Sequence, residues 1–100
     1  MTRNNATVPD SVLALVMAAL QPFDDGGREI EGIPDEDGCL RCVLPLLDGI
    51  GQLFLTQTRL GRTVRISVKV GAMVYRNLRP HLKRMGMRLR LRWRERRAGG

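Results

Sequence analysis

Two runs in this 100-residue chain alternate apolar and polar residues with period two. In RTVRISVKV, Val64, Ile66, Val68 and Val70 are separated by Arg65, Ser67 and Lys69. In MRLRLRWR, Met87, Leu89, Leu91 and Trp93 are separated by Arg88, Arg90 and Arg92, and Arg94 follows. Successive side chains of a β-strand point to opposite faces, so this period predicts two strands, each burying one face and wetting the other. A helix, with its 3.6-residue period, would scatter both kinds of residue around its circumference. The fold must therefore contain a sheet with an apolar face. Outward positions need only be polar, and lysine, threonine or glutamate would serve. The repeated choice of arginine points to an acidic target, on a partner or on the chain's own acidic stretch.

The remaining elements are read around that sheet. In PDSVLALVMAALQPF an unbroken apolar run from Val12 to Leu20 predicts a buried helix over 10–21, capped by Asp10 or Ser11 and stopped by Pro22. Residues 24–38, DDGGREIEGIPDEDG, hold seven acids, four glycines and a proline with no period, and are expected to form an acidic loop. CLRCVLPLL is a strand candidate that Pro45 confines to an edge or a strand end. GQLFLTQTRLG follows, with Leu53 and Leu55 alternating with Phe54 and Thr56, and a hairpin turn is expected at Leu60 and Gly61. After Gly71 the spacing of Val74, Leu78, Leu82 and Met85 is helical. Pro80 kinks that helix or restarts it, because proline lacks the N–H donor and clashes with the preceding turn. Gly86 is the expected residue just past its end.

These elements give an α+β fold: a small antiparallel sheet of three to four strands, an N-terminal helix, and a second helix before the last strand. The expected core is Leu53, Leu55, Val64, Ile66, Val68, Leu78, Leu82, Leu89 and Leu91. Residues 1–100 make a single small domain, in which 1–8 are a flexible arm, 24–38 the acidic loop and 94–100 a basic tail. No apolar run reaches the roughly 20 residues of a membrane span. Asp10 stands where a signal peptide would carry positive charge, so a cytoplasmic protein with reduced thiols is expected.

Catalytic and metal chemistry have no constellation in this sequence. Cys39 and Cys42 sit in a strand-like run rather than at a helix start, and His81 is the only histidine. A structural zinc site needs four ligands and a redox dithiol needs a stabilised thiolate, so two partly buried thiols are the favoured reading. No nucleophile motif or phosphate loop accompanies His81, and the acids of 24–38 lack the ligand spacing of a calcium loop. No enzyme activity, cofactor or metal is expected.

Charge is the stronger signal. Residues 1–58 carry three basic against nine acidic side chains, a net −6, whereas residues 59–100 carry fourteen against one, a net +13. Such a division implies an acidic partner, an anionic surface, or two halves that attract each other. If the two alternating strands pair, Arg65, Lys69, Arg88, Arg90, Arg92 and Arg94 form one basic partner-binding face. Its guanidinium forks suit carboxylates and phosphates alike. Sequence-independent nucleic-acid binding is one reading, although four aromatic residues give little for bases to stack on. Self-association through an exposed edge strand is another.

The stretch from Val43 to Trp93 resembles the C-terminal domain of the substrate-specificity-switch proteins of type III secretion, which include the flagellar hook-length control proteins. GIGQLFL (49–55) looks like that family's opening strand, with Ile50 in a leucine position. RLGRTVRISVKV (59–70) resembles its second strand, and YRNLRPHLKRMGMRLRL (75–91) is similar to its helix, glycine and final strand. The resemblance implies a non-catalytic protein-binding domain that docks on the export apparatus and switches it from early to late substrates. The family's long N-terminal gauge region has no counterpart in these residues. Small secretion chaperones have a similar order of elements, but are typically acidic.

Overall fold

In the computed structural model, which describes residues 7–58 and 63–96, the apolar run after Pro9 forms helix α1 (Asp10–Leu20). Val12, Leu13, Val16 and Leu20 are buried, while Ser11, Ala14 and Ala18 face outward, so the helix lies on the surface rather than inside. Neither Asp10 nor Ser11 caps it. The helix starts directly after Pro9, whose carbonyl accepts the Val12 and Leu13 N–H groups at 3.0 and 3.1 Å. Pro22 opens a 3-10 turn (Gln21–Gly26) instead of ending all helical structure. Val8, expected in a flexible arm, is buried against the core.

Among the described residues six strands follow where three or four were expected: β1 (Ile30–Pro34), β2 (Leu40–Pro45), β3 (Gly51–Gln57), β4 (Val64–Val70), β5 (Met73–Tyr75) and β6 (Trp93–Glu95). They form one sheet in the order β5-β4-β3-β2-β1-β6. All neighbours are antiparallel except β1 and β6, which run parallel, so the sheet is mixed. The overall α+β class is as expected.

Three expectations about individual elements are corrected. The acidic stretch 24–38 contains β1, whose outward Glu31 and acidic flanks conceal a short inward pattern of Ile30 and Gly32. The second helix, α2 (Arg79–Arg84), is shorter than its spacing implied, because Gly71 and Ala72 turn the chain into β5 and Asn77 takes a left-handed φ of 57°. Pro80 lies in the first turn of α2, where its missing N–H costs nothing. Finally, only Trp93–Glu95 of the last alternating run is strand, and Arg94 and Glu95 belong to it rather than to a tail. The Arg90 N–H turns back to the Arg88 carbonyl at 2.8 Å, a three-residue turn that breaks a regular ladder before Trp93.

The helices and the segment 87–92 cover one face of the sheet. Leu53, Leu55, Ile66, Val68, Leu78 and Leu82 are buried there, with Val64, Leu89 and Leu91 partly buried beside them. α2 ends as expected at Gly86, where the Gly86 N–H meets the Lys83 carbonyl and the Met87 N–H meets that of Leu82, satisfying two terminal carbonyls. β3 and β4 close at the Thr58 N–H to Thr63 carbonyl bond, and the expected turn at Leu60 and Gly61 lies outside the described residues.

At the far edge Trp93 reaches back over β1. A Cβ added to Gly32 would lie 2.7 Å from the Leu40 Cβ and 2.8 Å from Trp93 Cε3. Gly32→Ala is therefore expected to destabilise the protein by about 1–3 kcal/mol through overpacking. Urea unfolding measures it, and in a Trp93→Leu background the penalty should shrink. An equal penalty in both backgrounds would mean that the indole is not what demands glycine.

Candidate functional site: the open face of the sheet

The strand register places the outward residues in rows. Ile33, Arg41, Thr56 and Arg65 lie across β1 to β4, and Val43, Phe54 and Ser67 form the next row. Pro45, Gln52, Lys69 and Val74 form a third across β2 to β5. Among the described residues no helix lies on this side: Ile33 is 55% exposed and Val43 52%. The result is an apolar centre with Arg41, Arg65 and Lys69 around it.

The expected basic face is not continuous. Arg65 and Lys69 project from β4, whereas β6 pairs with β1 at the edge. Four strand spacings separate β4 from β6, roughly 19 Å at about 4.8 Å each. Arg94 donates to the Glu31 carboxylate at 2.5 Å on the neighbouring strand. Arg92 donates Nη2 and Nε to the Gly27 carbonyl at 2.6 and 3.2 Å. Arg88 and Arg90 are exposed on the irregular segment before β6, and their carbonyls accept the Asp25 and Gly26 N–H groups. Half of the arginine comb is thus bound to the chain's own 27–31 segment.

Arg41, Val43 and Phe54 were not singled out from sequence. Both alternating sets of β2 are largely apolar, with Leu40, Cys42 and Leu44 on one side and Val43 and Pro45 on the other, so alternation alone cannot tell which faces inward. Arg41 is oriented by the turn before it. Its Nε donates to Asp35 Oδ2 at 2.9 Å, while Oδ1 accepts the Asp37 and Cys39 N–H groups, each at 2.9 Å. The Cys39 N–H chiefly, with Arg41 and the Asp37 N–H, holds the Asp35 carboxyl below its ordinary range despite some desolvation.

Cys39 and Cys42 are free and partly buried. Burial first, and the Glu31 carboxylate second, push the Cys42 thiol up, so it stays protonated rather than reactive near neutrality. No three metal-binding side chains cluster among the described residues. His81 accepts a hydrogen bond from Arg84 Nη2 through Nδ1 at 2.9 Å. No helix among the described residues is long and apolar enough to cross a membrane. Comparison of the chain with family models, characterised proteins and solved structures found no match.

The Asp35 contact makes a pH prediction. A carboxyl whose folded pKa is depressed stabilises the fold above its unfolded value, about pH 4, and that contribution is lost as pH falls through the lower folded value. Asp35→Asn should lower the urea midpoint at pH 7, and the gap to wild type should narrow as pH drops below about 4. A gap unchanged at low pH would show that the Asp35 charge contributes nothing.

Proposed function

We propose that this is a non-catalytic protein-binding domain that acts in the cytoplasm by docking on a component of a type III or flagellar export apparatus through the open face of its sheet. The observation carrying the docking surface is the exposed pair Ile33 and Val43, beside Phe54, on a face that no helix among the described residues covers. Adjacent apolar side chains left in water on a sheet, rimmed by charge, are the pattern of an interaction surface. Arg41, Arg65 and Lys69 supply that rim, and Arg65 and Lys69 have no polar side-chain partner among the described residues. The export apparatus as partner rests on the resemblance of residues 43–93 to the specificity-switch domain.

Nucleic acid is the second reading, favoured by the exposed Arg88 and Arg90, whose side chains also lack a polar partner among the described residues. Among the described residues Phe54 alone offers a ring on the open face, because Phe23, Tyr75 and Trp93 pack against the core. A platform for successive bases is therefore missing.

Val43→Asp with Lys69→Glu should cost about 1–2 kcal/mol, through lost strand propensity and the Val43–Phe54 cross-strand pair, and leave the chain folded, which urea unfolding checks. In a secretion-competent cell the pair should lower recovery of the export component roughly tenfold or more, as expected for the centre of an interface. If wild-type protein recovers no export component, the reading is overturned. A duplex and a single strand titrated at two salt concentrations test the alternative, which requires binding that weakens steeply with salt.

A further inference from the structure

β5 is the last strand at the end of the sheet opposite β6, and among the described residues its only strand partner is β4. A groove of about 1150 Å³ runs along its outer side, walled by the start of α1 and by α2 with the turn after it. Gly71 and Ala72 form a two-residue hairpin loop, with the positive φ of 59° at Gly71. In such a hairpin the flanking residues Val70 and Met73 are the hydrogen-bonded pair, and the next such pair is Val68 and Tyr75. Val74, between them, turns its N–H and carbonyl away from β4 and toward the groove.

Edge strands are commonly blunted by lysine, proline or a bulge, and Met73–Tyr75 has neither charge nor proline. Its apolar surface is instead in water: Met73 is 52% exposed, Val74 48%, and Met85 across the groove 48%. The polar lining is cationic. Arg76 and Arg84 stand over the groove with His81, against a single acid, Asp10. Asn77, which also lines it, is held in the left-handed region at φ 57° where the chain leaves the edge strand.

From the unpaired backbone, the exposed methionines and the cationic rim, we propose that the β5 edge accepts an extended acidic peptide of a partner protein as a seventh strand. Main-chain bonds to Val74 supply the pairing, alternate apolar side chains lie against Met73 and Met85, and acidic side chains meet Arg76 and Arg84. A second copy offering the same edge would set Arg76 and Arg84 against their own counterparts, so charge selects an acidic strand over self-pairing. The site shares Val74 with the open face, but Met73, Arg76, Arg84 and Met85 lie outside its rows, and the site does not depend on the identity of the partner proposed there.

The probe is a fluorescent octapeptide of alternating glutamate and valine, with a lysine and valine octapeptide as its opposite-charge counterpart. The acidic peptide should bind the full chain saturably, more weakly at high salt, and should shift the backbone amide signals of Val74 and Arg76. Arg76→Glu with Arg84→Glu should weaken it roughly tenfold. Val74→Pro, which removes the outward N–H while leaving the β4 pairing donors in place, should also weaken it. The proposal is overturned if the acidic peptide does not bind, if the basic one binds as well, or if the amide shifts fall on Val43 and Phe54. It is equally overturned if the chain dimerises through β5, seen as a rise in mass with concentration that Val74→Pro abolishes. The charge reversal sits on exposed positions, so the test stands even if the proline variant does not fold.

Discussion

The fold depends on the contact of the Trp93 ring with Gly32. The chain finishes β5 at one end of the sheet and must return to the other end, beyond β1. α2 and the extended segment 87–92 make that crossing over the inner face, where Met87, Leu89 and Leu91 pack against the core. Arrival is fixed by the parallel ladder Ile30↔Trp93, Glu31↔Arg94 and Gly32↔Glu95, and by the indole lying over the one β1 residue with no side chain. The indole Nε1 is buried without a partner among the described residues, a penalty of about 1–3 kcal/mol that the ring's buried area must offset. Without this closure β1 would be an acidic edge strand held to β2 by the short ladder Ile33↔Arg41 and Pro34↔Leu40 and by the Asp35 turn.

What could be read from sequence follows from how much each element depends on distant partners. β3, β4 and the burial of Leu53, Leu55, Ile66 and Val68 were legible, because an alternating run of seven residues specifies a strand and its inner face locally. α1 was legible from its apolar run, although its surface position depends on Ala14 and Ala18 being small enough to face water. β1 was not legible: EIEGIP places glycine where Leu40 on the next strand and Trp93, about sixty residues later, both require space, so part of what fixes the strand is not local. The second helix was overextended because Val74 happens to fall on the helical spacing of Leu78 and Leu82, and the hairpin turn and the left-handed Asn77 outweigh that coincidence.

The arginine comb shows the same division. Its alternation correctly gave the inward set, Met87, Leu89, Leu91 and Trp93, but could not give the neighbour. Pairing with β1 rather than β4 brings Arg94 to Glu31 and Arg92 to the Gly27 carbonyl, which answers in part why arginine was chosen. The Arg92 contact uses two guanidinium nitrogens on one oxygen, a geometry an ammonium group does not reproduce. Both contacts are exposed, so each is worth well under about 1 kcal/mol. They orient the edge more than they stabilise it. The acidic and basic halves thus meet along β1 and β6, leaving the cations of β4 without an internal counterpart.

That asymmetry bears on the open face as a whole. α1 has eleven residues and α2 six, about 16 and 9 Å of helix at roughly 1.5 Å per residue. A six-stranded sheet is about 24 Å wide at roughly 4.8 Å per strand, so the helices suffice for one face and not for two. On β3 and β4 the uncovered side is largely polar, with Gln52, Thr56, Arg65, Ser67 and Lys69, as solvation requires. On β1 and β2 it is not: Ile33, Val43 and Pro45 face water where threonine or glutamine would satisfy the strand equally well. Folding explains the inner face and the polar half of the outer one. The apolar half gains only part of its burial from folding, since about half of the Ile33 and Val43 surface stays in water, and the rest becomes favourable when something covers it.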